Sequence, residues 1–178
     1  IMSWKDIFPK NERRKQIFNL VDLTATIVEA GDGIKLPFID GKSFLKTILE
    51  NTDNSEKETF SEFCMDNSLS WSNEKEPHLS RMIRSNDWKY IYYHGYNNQL
   101  FNLKSDPDEM NNLAGLKDYS KIEARLKNKL LNEWDPLKIK ETIKKKSYSK
   151  KILKEWAKSV QPPDQYKWET KIDDNWLE

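Results

Sequence analysis

The sequence predicts an α+β fold: a four-stranded antiparallel sheet packed by a helix, with helical segments before and after it. Three observations predict it. Between residues 59 and 103, four short runs carrying apolar and aromatic residues are separated by turn or loop residues. Apolar residues recur at helical spacing over 20–28 and again over 119–134. Seven Trp, seven Tyr and seven Phe supply large burying side chains to a 178-residue chain that is only 37% hydrophobic and 33% charged.

The elements follow in order. Ile1 to Trp4 reads as the end of a strand, leaving through Phe8-Pro9 into the charged run Lys10 to Lys15. Leu20, Leu23, Thr24, Ile27 and Val28 mark a helix, with Gly31 placed where a helix end wants a residue at positive φ. Asp32-Gly33 and Pro37 are loop signals and Asp40-Gly41 a turn, after which Ser43 caps a short helix carrying Phe44, Leu45, Ile48 and Leu49. Residues 51–58 are polar and acidic, an exposed loop. The strands are expected at Thr59–Met65, Leu79–Arg84, Trp88–His94 and Gln99–Leu103, with turns at Ser85-Asn86-Asp87 and Gly95-Tyr96-Asn97-Asn98. Trp88, Tyr90 and Tyr92 alternate with Lys89, Ile91 and Tyr93, so one face should lie on a helix and the other be partly covered. Asp106, Pro107 and Glu109 form a capping-box pattern. Tyr119, Ile122, Leu126, Leu130 and Trp134 form the stripe of the helix that covers the sheet. Asp135-Pro136 starts a last helical region with Ile139 and Ile143 on one face and Ile152, Leu153, Trp156 and Val160 on another, stopped by Pro162-Pro163.

Composition excludes several functions. Thirty basic against 29 acidic residues leave a net charge of +1, with no global pull toward nucleic acid or an anionic membrane. Two His and one Cys exclude a disulfide framework and a Cys/His zinc module. The stretch Leu20 to Ala30 is far short of a membrane span, and nothing near Ile1 reads as a signal peptide. One cysteine suits a reducing compartment and equally a periplasmic enzyme, so localisation stays open.

Individual residues offer little catalytic chemistry. Cys64 ends an apolar strand with no His beside it and reads as a buried structural residue. His78 follows Pro77 in a polar loop and His94 ends a strand; they could share a metal only if the fold brought them together. With Trp71 and Asn73 in the same loop, His78 could instead touch a ligand. Asp106, Asp108 and Glu109 lack the alternating ligands of a calcium loop. The five Gly are scattered among turns and build no phosphate loop. Residues 138–158 hold nine Lys against two Glu, a local charge of +7, and no Arg; they read as a solvated helix face, partly neutralised by the acidic residues of the tail 164–178.

The order of motifs is more informative than any one of them. Asn19-Leu20-Val21-Asp22-Leu23-Thr24-Ala25-Thr26 resembles the helix start that sulfatases carry after their metal-binding segment. Asp40-Gly41-Lys42-Ser43-Phe44, Ser61-Glu62-Phe63, Arg81-Met82-Ile83-Arg84 and Trp88-Lys89-Tyr90-Ile91 follow with similar spacing. Most specific is the run Leu100 to Ala114, which resembles the signature "tyrosine-aspartate-leucine, aspartate-proline-x-glutamate, asparagine-leucine", with Phe101-Asn102 replacing the usual Tyr-Asp. The resemblance covers residues 1 to about 134. Beyond it, the helices and the Trp-containing tail look like the extended C-terminus of choline-sulfatase-like and phosphonate-monoester-hydrolase-like members of the alkaline-phosphatase superfamily.

This resemblance implies a parent enzyme that hydrolyses sulfate esters with a formylglycine nucleophile beside a divalent cation, usually calcium. The nucleophile arises from Cys or Ser in a C/S-x-P-x-R motif, and Cys64 is followed by Met65-Asp66-Asn67-Ser68, so it is not that site. The metal ligands lie upstream in the family. The expectation is therefore a C-terminal portion with Ile1 a truncation point. Residues 1–50 would be the remnant of the catalytic α/β domain, 51–134 the sheet-and-helix subdomain, and 135–178 a Lys-rich helical extension with a tail. No catalytic residue, metal or cofactor is expected on this chain, which alone should be inactive. Trp71, Asn73, His78 and His94 are the substrate-adjacent candidates. The expected partners are the missing catalytic portion and a second copy through 135–178, with no nucleic acid and no membrane. The alternatives are the same region of a phosphodiesterase or phosphonate monoester hydrolase, and an anion-binding module using Lys144, Lys145 and Lys146.

Overall fold

The computed structural model describes residues 2–14, 16–34, 37–50, 58–65 and 77–161. The chain forms two compact units, residues 1–65 with 78–136, and residues 66–77 with 137–178.

Among the described residues, 2–8 form no strand. The Trp4 carbonyl accepts from the N–H groups of Ile7 and Phe8, so residues 4–8 turn back on themselves, and the rings of Trp4 and Phe8 meet edge to face. The first helix, α1 (Leu20–Ala30), starts at Asn19 with a capping box. The Asn19 N–H donates to Asp22 Oδ2 at 2.8 Å, while Asn19 Oδ1 accepts from Val21 N–H. Gly31 ends the helix at φ −94°, not in the left-handed region; the positive φ falls one residue later, at Asp32. Asp residues tolerate that region because the short side chain can hydrogen-bond locally.

The second helix, α2 (Leu45–Glu50), begins where Ser43 Oγ accepts from Leu45 N–H. The segment before it is bonded to α1. The other oxygen of Asp22 accepts from Lys42 N–H at 2.9 Å. The fully buried Thr26 hydroxyl donates to the Asp22 carbonyl and accepts from Phe44 N–H. Gly41 lies so close to α1 that a Cβ there would collide with the Val21 carbonyl oxygen. Its role is close approach, not the tight turn expected at Asp40-Gly41. The segments 19–26 and 40–44, twenty residues apart, are thus one bonded unit, and Asn19 Nδ2 ties it to the Phe60 carbonyl.

The sheet is an antiparallel meander in the order β1 (Glu58–Met65), β2 (His78–Ser85), β3 (Trp88–Tyr93), β4 (Gln99–Asn102). Cross-strand partners include Phe60 with Ile83, Ile83 with Tyr90, and Tyr90 with Leu100. These four therefore share one face, and Ile83, Tyr90 and Leu100 are fully buried there. A 3-10 turn (Lys117–Tyr119) and helix α3 (Ser120–Leu131) cover that face with the fully buried Leu126 and Leu130. Each such side chain contributes ~1.5–3 kcal/mol by leaving water. Trp88 meets Tyr119, and Tyr92 meets Trp134 edge to face. Arg81 reaches from β2 across the Phe60 ring and donates to the Leu130 carbonyl at 2.8 Å, capping the end of α3. The opposite face carries Met82, Ile91 and Tyr93, half-buried as expected, with Phe101 buried.

The capping-box pattern at Asp106 builds no helix. Its carboxylate accepts from the N–H groups of Met110 and Asn111, closing a loop. Glu109 stands at positive φ and turns its carboxylate to Lys89 Nζ at 2.6 Å instead of back to Asp106. The sulfatase-like signature is thus a structural stitch. Asn112 Oδ1 accepts from the N–H of Leu100, Asn112 Nδ2 donates to the Asn98 carbonyl, and Leu113 N–H donates to the Leu100 carbonyl. Residues 112 and 113 satisfy the outer edge of β4 where another strand would.

The last helix, α4 (Pro136–Val160), is 25 residues long, starts at the expected proline and, from Leu137 on, belongs to the second unit. The loop 51–57 and the stop at Pro162-Pro163 lie outside the described residues.

Candidate functional site

Of the four residues singled out from the sequence, Trp71 and Asn73 lie outside the described residues. His78 is not in a loop: it opens β2 opposite Met65, on the last rung of the β1–β2 ladder. That rung is where residues 66–77 connect the two strands. The half-buried imidazole sits among three aromatic rings, Phe63 at 6.2 Å, Tyr93 at 6.3 Å and Tyr96 at 5.8 Å between centroids. β1 supplies Phe63, β3 supplies Tyr93, and the β3–β4 turn supplies Tyr96, held there by Gly95 at φ +85°. Tyr93 is oriented by its hydroxyl, which donates to Gln99 Oε1 at 3.2 Å.

His94 continues the ladder past β3, its N–H donating to the Leu79 carbonyl at 3.0 Å. Its Nδ1 lies 3.3 Å from the Tyr92 hydroxyl. Side chains alternate along a strand, so His78 on the Tyr93 side and His94 on the Tyr92 side face opposite ways. The fold does not bring the two histidines together. Among the described residues no group of three or more His, Cys, Asp or Glu could hold a metal ion. The cation implied by the resemblance has no fit among them.

Cys64, expected buried, is exposed on the outer strand β1. Partial desolvation against the sheet pushes its thiol pKa up, and Glu62 adds to the effect. A nucleophilic cysteine needs the opposite shift.

The arrangement around His78 suits binding. Phe63 and Tyr96 are 54% and 60% exposed, so ring faces are open to solvent beside an imidazole. Ring faces accept the apolar side of a cyclic ligand, and the imidazole can hydrogen-bond its polar groups. Phe63, Tyr93 and Tyr96 were not evident as a group from the sequence. Pairing Met65 with His78 would have revealed them, but a connection of twelve residues does not set strand register.

Residues 1–136 match the model of the N-sulphoglucosamine sulphohydrolase C-terminal family. The chain belongs to this family. The sulphohydrolase segment takes in β1 to β4, α1 to α3 and both histidines, and it ends at the residue where α4 begins. Arylsulfatase K of Bos taurus is 29% identical over 163 residues, a match that takes in 84% of this chain. The chain spans 27% of the length of that relative. The solved phosphonate monoester hydrolase of Agrobacterium radiobacter has the same fold at 21% identity and a TM-score of 0.52, over 67% of this chain and 25% of that one. BT4656, solved with its substrate D-glucosamine-2-N,6-O-disulfate, is similar at 21% identity and a TM-score of 0.50, over 65% and 24% of the two chains. At that identity both likenesses concern the fold.

Proposed function

We propose that this chain is the C-terminal part of a sulfuric ester hydrolase that supports the fold of the catalytic portion and borders its substrate entrance. The nucleophile and the metal ligands belong to residues upstream. The observation that carries this reading is the sulphohydrolase match over residues 1–136, whose motifs act as ties between elements: Asn19 to β1, Asp22 and Thr26 to residues 42–44, Arg81 to α3, and Asn112 to β4. None of these ties does chemistry; each holds one element against another. The substrate-adjacent role falls to the end of the sheet at His78, and the exposed aromatic rings of Phe63 and Tyr96 support it; Trp71 and Asn73, given the same role from the sequence, lie outside the described residues. His94 lies on the other face, beside Tyr92.

The purified 178-residue chain should not turn over an aryl sulfate with or without calcium. Metal-dependent turnover by this chain alone would overturn the reading. In the reading frame upstream of Ile1, a C/S-x-P-x-R motif is expected. The shared fold with a phosphonate monoester hydrolase favours a second reading, phosphate or phosphonate ester hydrolysis, and a lone Ser or Thr nucleophile in place of that motif would select phosphate chemistry.

A further inference from the structure

The sulphohydrolase segment ends at residue 136 and leaves α4 without a role. Over residues 148–160 this helix divides into two faces. Tyr148, Ile152, Trp156 and Val160 recur every fourth residue, with Leu153 beside them, and all five are more than half exposed. Lys150, Lys151, Lys154 and Lys158 occupy the other side, with Lys158 bonded to Glu155. No acidic residue lies between Glu141 and Glu155.

We infer that residues 148–160 of α4 are a surface-binding helix for an anionic lipid bilayer. The argument is complementarity of both faces at once. An exposed stripe containing Trp, Tyr, Ile and Leu gains by entering the boundary between headgroups and acyl chains, and lysines flanking it gain from anionic headgroups. The helix lies on the surface, since no helix among the described residues is long and apolar enough to cross a membrane. A nucleic acid would satisfy the lysines and leave the stripe in water, and the run lacks the Arg that favours such contacts. A second copy would cover the stripe and bring another +7 helix within screening distance. The net charge of +1 still predicts no attraction for the chain as a whole; the attraction is local to α4. This inference does not depend on the hydrolase reading.

The test is co-sedimentation of the full chain with phosphatidylcholine vesicles containing about one third phosphatidylserine, against pure phosphatidylcholine. The chain should pellet with the anionic vesicles alone and be released by salt. Replacing Lys151, Lys154 and Lys158 together by Gln should weaken partitioning roughly a hundredfold, about fivefold per charge. Trp156→Ser with Leu153→Ser should also lower it at least about tenfold, with the far-ultraviolet circular dichroism of both variants unchanged. Failure to pellet with anionic vesicles overturns the proposal. So does loss of binding on lysine replacement alone while the Trp156 variant binds normally, which marks adhesion to any polyanion. A stable dimer that dissolves in the Trp156 variant overturns it as well, because the stripe is then covered by a second copy.

Discussion

Glu58 takes hydrogen bonds from two elements, Lys129 Nζ of α3 at 2.6 Å and the buried Ser85 hydroxyl of β2 at 2.9 Å. The Lys129 bond holds its carboxyl below the usual 4.5; desolvation opposes the shift and Ser85 adds to it. A depressed folded pKa means stability that is present above the unfolded value and lost as the pH falls through the folded one. Glu58→Gln keeps an acceptor for Ser85 and removes the charge. Because Lys129 is 44% exposed and screened, the variant should lose no more than about 1 kcal/mol at neutral pH. The deficit should narrow once the pH drops below 4.5 and vanish in stronger acid. Urea denaturation at the two extremes checks this, and a deficit that persists in acid would mean packing, not charge, is its source. Side chains at this scale were the least legible in the sequence. Cys64 carries the composition of a buried residue and sits on an exposed outer strand, because an edge strand covers one side of its residues less well than a central one.

The strands were legible as elements. Alternation and the turns expected at 85–87 and 95–98 located all four to within a residue or so, since hairpins are local and their turn chemistry is written in adjacent positions. The Asp106 pattern misled, because a capping box and a carboxylate-closed loop use the same residues. What distinguishes them is whether an amphipathic stripe follows, and here it starts only at Tyr119. The loop instead delivers Asn112 to β4. Asn112→Ala should leave the N–H of fully buried Leu100 without its partner, a cost of about 1–3 kcal/mol. Denaturation midpoints and faster amide exchange at Leu100 would show it. An unchanged Leu100 exchange rate would mean the stitch is not what holds that edge.

At the scale of the whole molecule, the buried apolar residues among those described run from Leu79 to Trp134, all within the first unit. A chain ending at Pro136 should therefore keep one cooperative thermal transition, shifted by less than about 4 °C, while losing vesicle binding. A non-cooperative melt would show that residues 137–178 complete the core. The sequence by itself determined the fold class, the strands and the helix stripe over the sheet, because each rests on periodicity or turn residues along the chain; the resemblance to a family rests on the order of its motifs. Only the tertiary structure decided that His78 and His94 face apart, that His78 joins Phe63, Tyr93 and Tyr96, and that segments 19–26 and 40–44 are bonded. Those facts depend on strand register and on which backbone groups meet across long separations. Neither is set by local preference; both are settled when the whole apolar set finds the one alignment that buries it.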